Sequence, residues 1–107
     1  MKANKFGLLE RDINYIVSAI KVFPEIEEAM IFGSRALGNY KKGSDIDIAC
    51  YGKNVNFKTT TRLKSKLNED LPIPFFVDVL HFNTLKNSDL KKHIEQFGIT
   101  FYSCTSM

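Results

Sequence analysis

The chain has 107 residues, enough for one hydrophobic core and too few for two, so we predict a single domain over residues 1–107. Its formal net charge of +3 suits an anionic substrate but is too small for a nucleic-acid-binding surface, which argues against direct nucleic-acid binding. No apolar segment is long enough for a membrane span, and the two cysteines lack metal-ligand spacing, so we expect a cytoplasmic protein with reduced thiols.

Hydrophobic spacing predicts alternating helices and strands along the chain. Apolar residues at helical spacing predict an amphipathic helix that ends before Pro24, and shorter apolar or alternating runs predict strands. The predicted elements are a helix over 8–22, a strand over 29–32, a short helix over 35–37, a strand over 45–50, a helix over 57–68, a strand over 74–80, a helix over 88–97 and a short strand over 99–102. This order predicts an α+β domain, in which helices pack on a small mixed sheet.

The first predicted strand ends at Gly33, and Ser34 follows it. Glycine allows a tight turn and the close approach of a ligand. Ser34 can cap the short helix that follows, and the free N–H groups at such a helix start favour an anion. The pair therefore predicts a phosphate-binding turn, although Gly-Ser after a strand also occurs as an ordinary turn.

Two carboxylates begin the next predicted strand. Asp45 and Asp47 are two residues apart, so they lie on the same face of the strand, where they repel each other unless a cation is bound. Mg²⁺, a hard ion that takes oxygen ligands and substrate phosphates, suits them. The alternative is a solvated strand start with Asp45 in a turn.

A third carboxylate, Asp78, is the one charge in the apolar run 74–80. Such a run predicts a central strand buried on both faces, where a carboxylate is costly unless it is paired or bound to a metal. The intervening helix makes a crossover that is almost always right-handed, so we expect this strand to lie parallel to that of Asp47. Asp45, Asp47 and Asp78 should then converge within metal-bridging distance. The alternative is an Asp at a sheet edge, paired to a Lys.

Three further positions invite a functional interpretation. The polar loop over 39–44 is long enough to close over a nucleotide, although a solvated loop explains it equally well. His81 is three residues from Asp78 on the predicted strand, so it should face the opposite side. His93 stands beside two lysines in the last predicted helix, which indicates a solvated helix face.

Together these motifs resemble those of the minimal nucleotidyltransferases in the DNA polymerase β-like superfamily, from about Glu10 to Tyr102. The segments that carry the resemblance are Gly33-Ser34-Arg35, Ser44-Asp45-Ile46-Asp47-Ile48 and Val77-Asp78-Val79. The resemblance implies the polymerase β-like fold and use of ATP or another nucleoside triphosphate. It also implies that Mg²⁺, with room for two ions, is held by the catalytic residues Asp45, Asp47 and Asp78, and that the nucleotide is contacted by Gly33, Ser34, Arg35 and Ser44.

One position departs from the family pattern. Members commonly carry a second basic residue where this chain has Leu37. Either Arg35 alone serves the phosphates, or Lys41 and Lys42 assist it.

The resemblance also implies a partner, because these proteins are often encoded beside a helical HEPN-domain protein. It indicates an antitoxin that transfers AMP, or another nucleoside monophosphate, to a Tyr hydroxyl of a HEPN toxin. The alternatives are a binding module that silences the HEPN partner without catalysis and a small-molecule nucleotidyltransferase of the antibiotic-resistance kind. A chain this short has no residues for a separate acceptor domain, so the acceptor surface comes from a partner or from a second copy in a homo-oligomer.

Overall fold

A four-stranded mixed β-sheet organises residues 6–104, the part of the chain that the computed structural model describes. The strands are β1 (Glu28–Phe32), β2 (Ile46–Tyr51), β3 (Val77–His81) and β4 (Ile99–Ser103), and the helices are α1 (Glu10–Lys21), α2 (Ser34–Leu37), α3 (Phe57–Ser65) and α4 (Ser88–Phe97). A π-helical turn, Lys66–Asp70, extends α3, and a 3₁₀ turn, Phe82–Thr84, follows β3. The predicted α+β class and order of elements are confirmed. None of the helices in this region is long and apolar enough to span a membrane.

The strands lie in the order β3-β2-β1-β4. β1 runs antiparallel to both β2 and β4, whereas β2 and β3 are parallel and joined through α3. The prediction of a parallel pair carrying Asp47 and Asp78 is therefore confirmed.

β3 lies at the edge of the sheet, so the prediction of a central strand buried on both faces is wrong. The outer edge of β3 is covered by one side chain: the Val77 N–H donates to Asn68 Oδ1 at 2.8 Å, and Asn68 Nδ2 donates to the Val77 carbonyl at 2.8 Å. Asn68 belongs to the π-helical turn that follows α3. An apolar sequence could therefore form an edge strand because a neighbouring helix end satisfies part of its exposed backbone.

Two apolar clusters occupy the two faces of the sheet. The larger joins α1 and α3 to one face and includes Ile16, Ile20, Leu63, Leu67, Ile46, Ile48, Val77 and Val79. The smaller joins α4 and the 3₁₀ turn to the other face through Phe32, Ala49 and Ile94, with Leu80, Phe82 and Leu90 packed around them. Side chains alternate along a strand, so Asp47 and Asp78 lie on the face that α4 covers.

Candidate active site at the Gly33 turn and the Asp47–Asp78 pair

The chain turns sharply between β1 and α2 at Gly33, whose φ of 76° and ψ of −153° fall outside the regions open to other residues. A Cβ at this position would lie 2.6 Å from Asp47 Oδ2. Position 33 therefore requires glycine for two reasons: only glycine adopts this backbone conformation readily, and the Asp47 carboxylate leaves no room for a Cβ. The structure brings the predicted phosphate-binding turn into direct contact with one of the predicted metal ligands.

Asp47 and Asp78 face each other as register partners on the parallel strands β2 and β3. Burial raises the pKa of Asp47, and the carboxylates of Asp78 and Asp45 raise it further. Each neighbouring negative charge disfavours ionisation of Asp47. Both of the other predicted carboxylates are thus close enough to raise the pKa of Asp47.

The predicted convergence of three carboxylates within metal-bridging distance is not what the structure has: across residues 6–104, no three His, Cys, Asp or Glu side chains are gathered closely enough to hold a metal ion. Asp78 Oδ1 lies 3.1 Å from Lys64 Nζ and also accepts the Val79 N–H. The alternative interpretation, an edge Asp paired to a Lys, describes Asp78. The donor chemistry still fits a hard divalent cation, because Asp45, Asp47 and Asp78 present carboxylate oxygens whose mutual repulsion such an ion relieves.

Arg35 does not fit the predicted contact with phosphates. The residue is only 2% exposed. Its guanidinium donates to the Ser44 carbonyl from Nη2 at 2.8 Å and from Nε at 3.1 Å, and to the Phe6 carbonyl from Nη1 at 2.8 Å. It also stacks 4.4 Å from the centre of the Phe75 ring, and burial lowers its pKa. Arg35 therefore joins the N-terminal segment to the loop before β2.

The loop over 39–44 is anchored at both ends. The Ser44 hydroxyl oxygen accepts the Lys41 N–H at 2.8 Å, and its carbonyl is held by Arg35, so Ser44 closes this turn. Its contact with a nucleotide stays a prediction. Near the start of the loop, the Tyr40 ring packs directly against Gly7. Lys41 is exposed between these anchors and is available to an anionic ligand or a partner.

His93 is the residue that the sequence interpretation missed. Its Nε2 accepts the N–H of Gly33 at 3.2 Å, and its ring meets Phe32 edge-on with centroids 6.3 Å apart. One signal could have indicated this position, because His93 shares a helix face with Leu90 and Phe97, at spacings of three and four residues. His81, in contrast, lies where it was expected, away from the carboxylates, with Nε2 3.0 Å from the Gly52 carbonyl.

Solved structures with the same fold include three toxin–antitoxin complexes. One, a toxin–antitoxin with AMP-PNP, is 21% identical over 87% of this chain and 74% of that chain, with a TM-score of 0.72. Another, a tri-AMPylated Shewanella oneidensis HEPN toxin in complex with an MNT antitoxin, is 19% identical over 88% and 71%, with a TM-score of 0.67. The third, the toxin–antitoxin MntA–HepT, is 18% identical over 89% and 73%, with a TM-score of 0.68.

A comparison with curated proteins gives no match. The model of the family described as polymerase beta, nucleotidyltransferase, matches residues 14–106, nearly the whole chain. The predicted fold and the prediction of a nucleotidyltransferase agree with this match. The chain belongs to the polymerase β nucleotidyltransferase family.

Proposed function

We propose that this protein is an antitoxin that transfers AMP, or another nucleoside monophosphate, from a nucleoside triphosphate to a Tyr hydroxyl of a HEPN toxin. The observation that carries the proposal is the contact between the Gly33 turn and Asp47, with Asp78 beside it. A turn suited to phosphate and a carboxylate pair suited to a cation thereby meet at one end of the sheet. The solved complexes of the same fold, one with AMP-PNP and one with an AMPylated toxin, support the choice of nucleotide and acceptor.

The carboxylates Asp45, Asp47 and Asp78 would hold Mg²⁺, with two ions when all three take part. When bound, Mg²⁺ neutralises charge on the triphosphate and lowers the pKa of an acceptor hydroxyl. Because Asp78 is bound to Lys64, this ion pair has to open before Asp78 can serve as a ligand.

The chain's own groups would orient the reactants. The Ser34 hydroxyl donates to the phosphates that leave. Where Asp78 is not a ligand of a second ion, it accepts the proton of the acceptor hydroxyl once it is free of Lys64. The acceptor oxygen then forms a bond to the α-phosphorus while the bond from that phosphorus to the bridging α–β oxygen breaks, and pyrophosphate leaves. Positioning and charge neutralisation supply most of the acceleration.

The acceptor has to approach the exposed surface beside the site. Leu37, 46% exposed, is the last residue of α2, and the exposed Lys41 and Lys42 follow in the loop after it. An exposed leucine at the end of a helix is better suited to contact with a protein than with phosphate. We propose that the helical partner docks over residues 35–45, in the cytoplasm, where the free thiols of Cys50 and Cys104 stay reduced.

A second candidate function, silencing of the toxin by binding alone, is favoured by one observation. The ion pair between Lys64 and Asp78 leaves Asp78 committed to a structural contact. A site held in this way could be idle while the docking surface still covers the toxin.

The deciding experiment incubates the chain with Mg²⁺, ATP labelled at the α-phosphate and the HEPN protein encoded by the neighbouring gene. Wild type should label the toxin, whereas Asp47→Asn should form the complex without labelling it. Asp70→Asn, at an exposed Asp in the turn after α3, is the matched control and should label normally. If Asp47→Asn neutralises the toxin as well as wild type does, inhibition is by binding. If label enters a small hydroxylated compound and never the toxin, the antitoxin proposal fails.

A further inference from the structure

Two different parts of the fold form hydrogen bonds with the main chain of Gly33, one with its carbonyl and one with its N–H. Its carbonyl accepts the N–H groups of Ala36 and Leu37, each at 3.1 Å, and so begins α2. Its own N–H donates to His93 Nε2, which belongs to α4, sixty residues further along the chain. The turn between β1 and α2 is therefore held from outside by one imidazole.

The imidazole is itself held in place by aromatic neighbours. The ring of His93 lies edge-on to Phe32, with the planes at 75°, and 5.4 Å from the centroid of Phe97. His93 is partly buried, and α4 packs on the sheet through Ile94. Nε2 therefore has little freedom to move, and because it accepts the Gly33 N–H, the neutral ring carries its proton on Nδ1.

Glycine alone would not hold this turn in one conformation. Without a Cβ, a glycine reaches more of the backbone conformational space than any other residue, so Gly33 needs a partner for its N–H to select the observed φ. The same residue lies against Asp47 Oδ2, and Ser34 follows it directly. A rotation of the Gly33 peptide would therefore move Ser34 relative to the carboxylates.

From these contacts we infer that His93 is a positioning residue for the transfer reaction: by accepting the Gly33 N–H, it fixes Ser34 in register with Asp47. The inference rests on the proposed function, because it assigns His93 to the same nucleotide site. It also means that the N–H of Gly33 is occupied by the protein, so that phosphate contacts come from Ser34 onward.

Two substitutions of His93 distinguish its role as a hydrogen-bond acceptor from the packing of its ring. His93→Phe keeps an aromatic ring against Phe32 and Phe97 but removes the acceptor, whereas His93→Gln keeps an acceptor of similar reach and loses the ring. His81→Phe, at the histidine whose Nε2 faces the Gly52 carbonyl, is the matched control for a histidine-to-phenylalanine change outside the site.

The measurements are the dissociation constant for AMP-PNP in the presence of Mg²⁺, by calorimetry, and the amide resonance of Gly33, by NMR. We expect His93→Phe to bind AMP-PNP about fivefold more weakly than wild type, the effect of one hydrogen bond. His93→Gln and His81→Phe should bind within about twofold of wild type. The Gly33 amide should shift and exchange faster with solvent in His93→Phe, and His93→Gln should restore it.

A role in packing alone predicts the reverse order, with His93→Gln the weaker binder. That result, or equal binding by His93→Phe and wild type, overturns the inference while leaving the proposed function intact. A wild-type protein that binds no AMP-PNP overturns the proposed function and, with it, the role of His93.

Discussion

The two halves of the candidate site differ in how firmly the fold holds them. The Gly33 turn is held by the N–H groups of Ala36 and Leu37 on its carbonyl, by Asp47 against it and by His93 on its N–H. Asp78, on the edge strand, is half exposed and is held by Lys64, which is similarly exposed. We therefore expect the Gly33 side of the proposed site to keep its geometry and the Asp78 side to rearrange when a cation is added.

The largest effect on stability is expected at Arg35, whose buried charge lies in the helix that follows the Gly33 turn. Arg35→Met should lower the free energy of unfolding by about 3 kcal/mol, because it removes the buried guanidinium that donates to the carbonyls of Phe6 and Ser44. Arg62→Met, at an exposed arginine of α3, is the control and should change it by less than about 0.5 kcal/mol. Urea denaturation measures both. If Arg35→Met keeps its stability and loses only nucleotide affinity, Arg35 serves the phosphates after all.

The next effect tests the turn itself. Gly33→Ala should lower the free energy of unfolding by about 2 kcal/mol, from backbone strain at positive φ and from the clash with Asp47 Oδ2. Gly43→Ala is a matched control, since Gly43 has φ +84° and a Cβ there would meet nothing within 4 Å, so strain alone should cost about 1 kcal/mol. Equal losses in the two variants, measured by urea denaturation, would mean that Asp47 yields without cost and the turn is less constrained than described.

A smaller effect is expected on the carboxylate side. Lys64→Met should strengthen Mg²⁺ binding about threefold in calorimetric titration, because the competing ammonium beside Asp78 is removed. Stability should change by less than about 1 kcal/mol, because the ion pair is well exposed. Lys58→Met, at an exposed lysine of the same helix, should leave both quantities unchanged. Unaltered Mg²⁺ affinity in Lys64→Met would show that the ion pair does not restrain Asp78.

The smallest effect concerns pH. The pKa of Asp47 is raised in the folded protein, so the folded state holds this proton more tightly than the unfolded chain does. As pH rises from the ordinary value of 3.8 through the raised pKa, the contribution of Asp47 to the free energy of unfolding should therefore fall, and it should stay lower at neutral pH. Asp47→Asn should lack this loss and, without metal, should be more stable at pH 7 by about 0.5 kcal/mol. Melting curves of both proteins between pH 3 and 7 test it; parallel profiles contradict it.

Patterns among neighbouring residues predicted the turn at Gly33 and the strands that carry the aspartates. Gly33 at the end of an apolar run and the alternation from Asp45 onward are properties of adjacent residues, and the helix between the two Asp-bearing strands dictates their parallel pairing. These features need no knowledge of distant packing.

Three features could not be predicted because they depend on distant or main-chain partners. The buried guanidinium of Arg35 donates to the carbonyls of Phe6 and Ser44. Because every residue has a carbonyl, the sequence does not show which ones will accept these hydrogen bonds. The edge position of β3 follows from β4, which adds to β1 on the far side. His93 reaches Gly33 only once α4 has packed on the sheet.

The side chain of Asn68 has a consequence for how this protein can assemble. By bonding to both the N–H and the carbonyl of Val77, it imitates one residue of a neighbouring strand and blocks further growth of the sheet at that point. The next outward N–H along β3, that of Val79, is taken by Asp78 Oδ1. A second chain that approached β3 would therefore find the N–H groups of Val77 and Val79 already bound within the protein. If Asp78 turns towards a cation, it releases the Val79 N–H. Cation binding would then leave a backbone donor on β3 open to a strand of another chain.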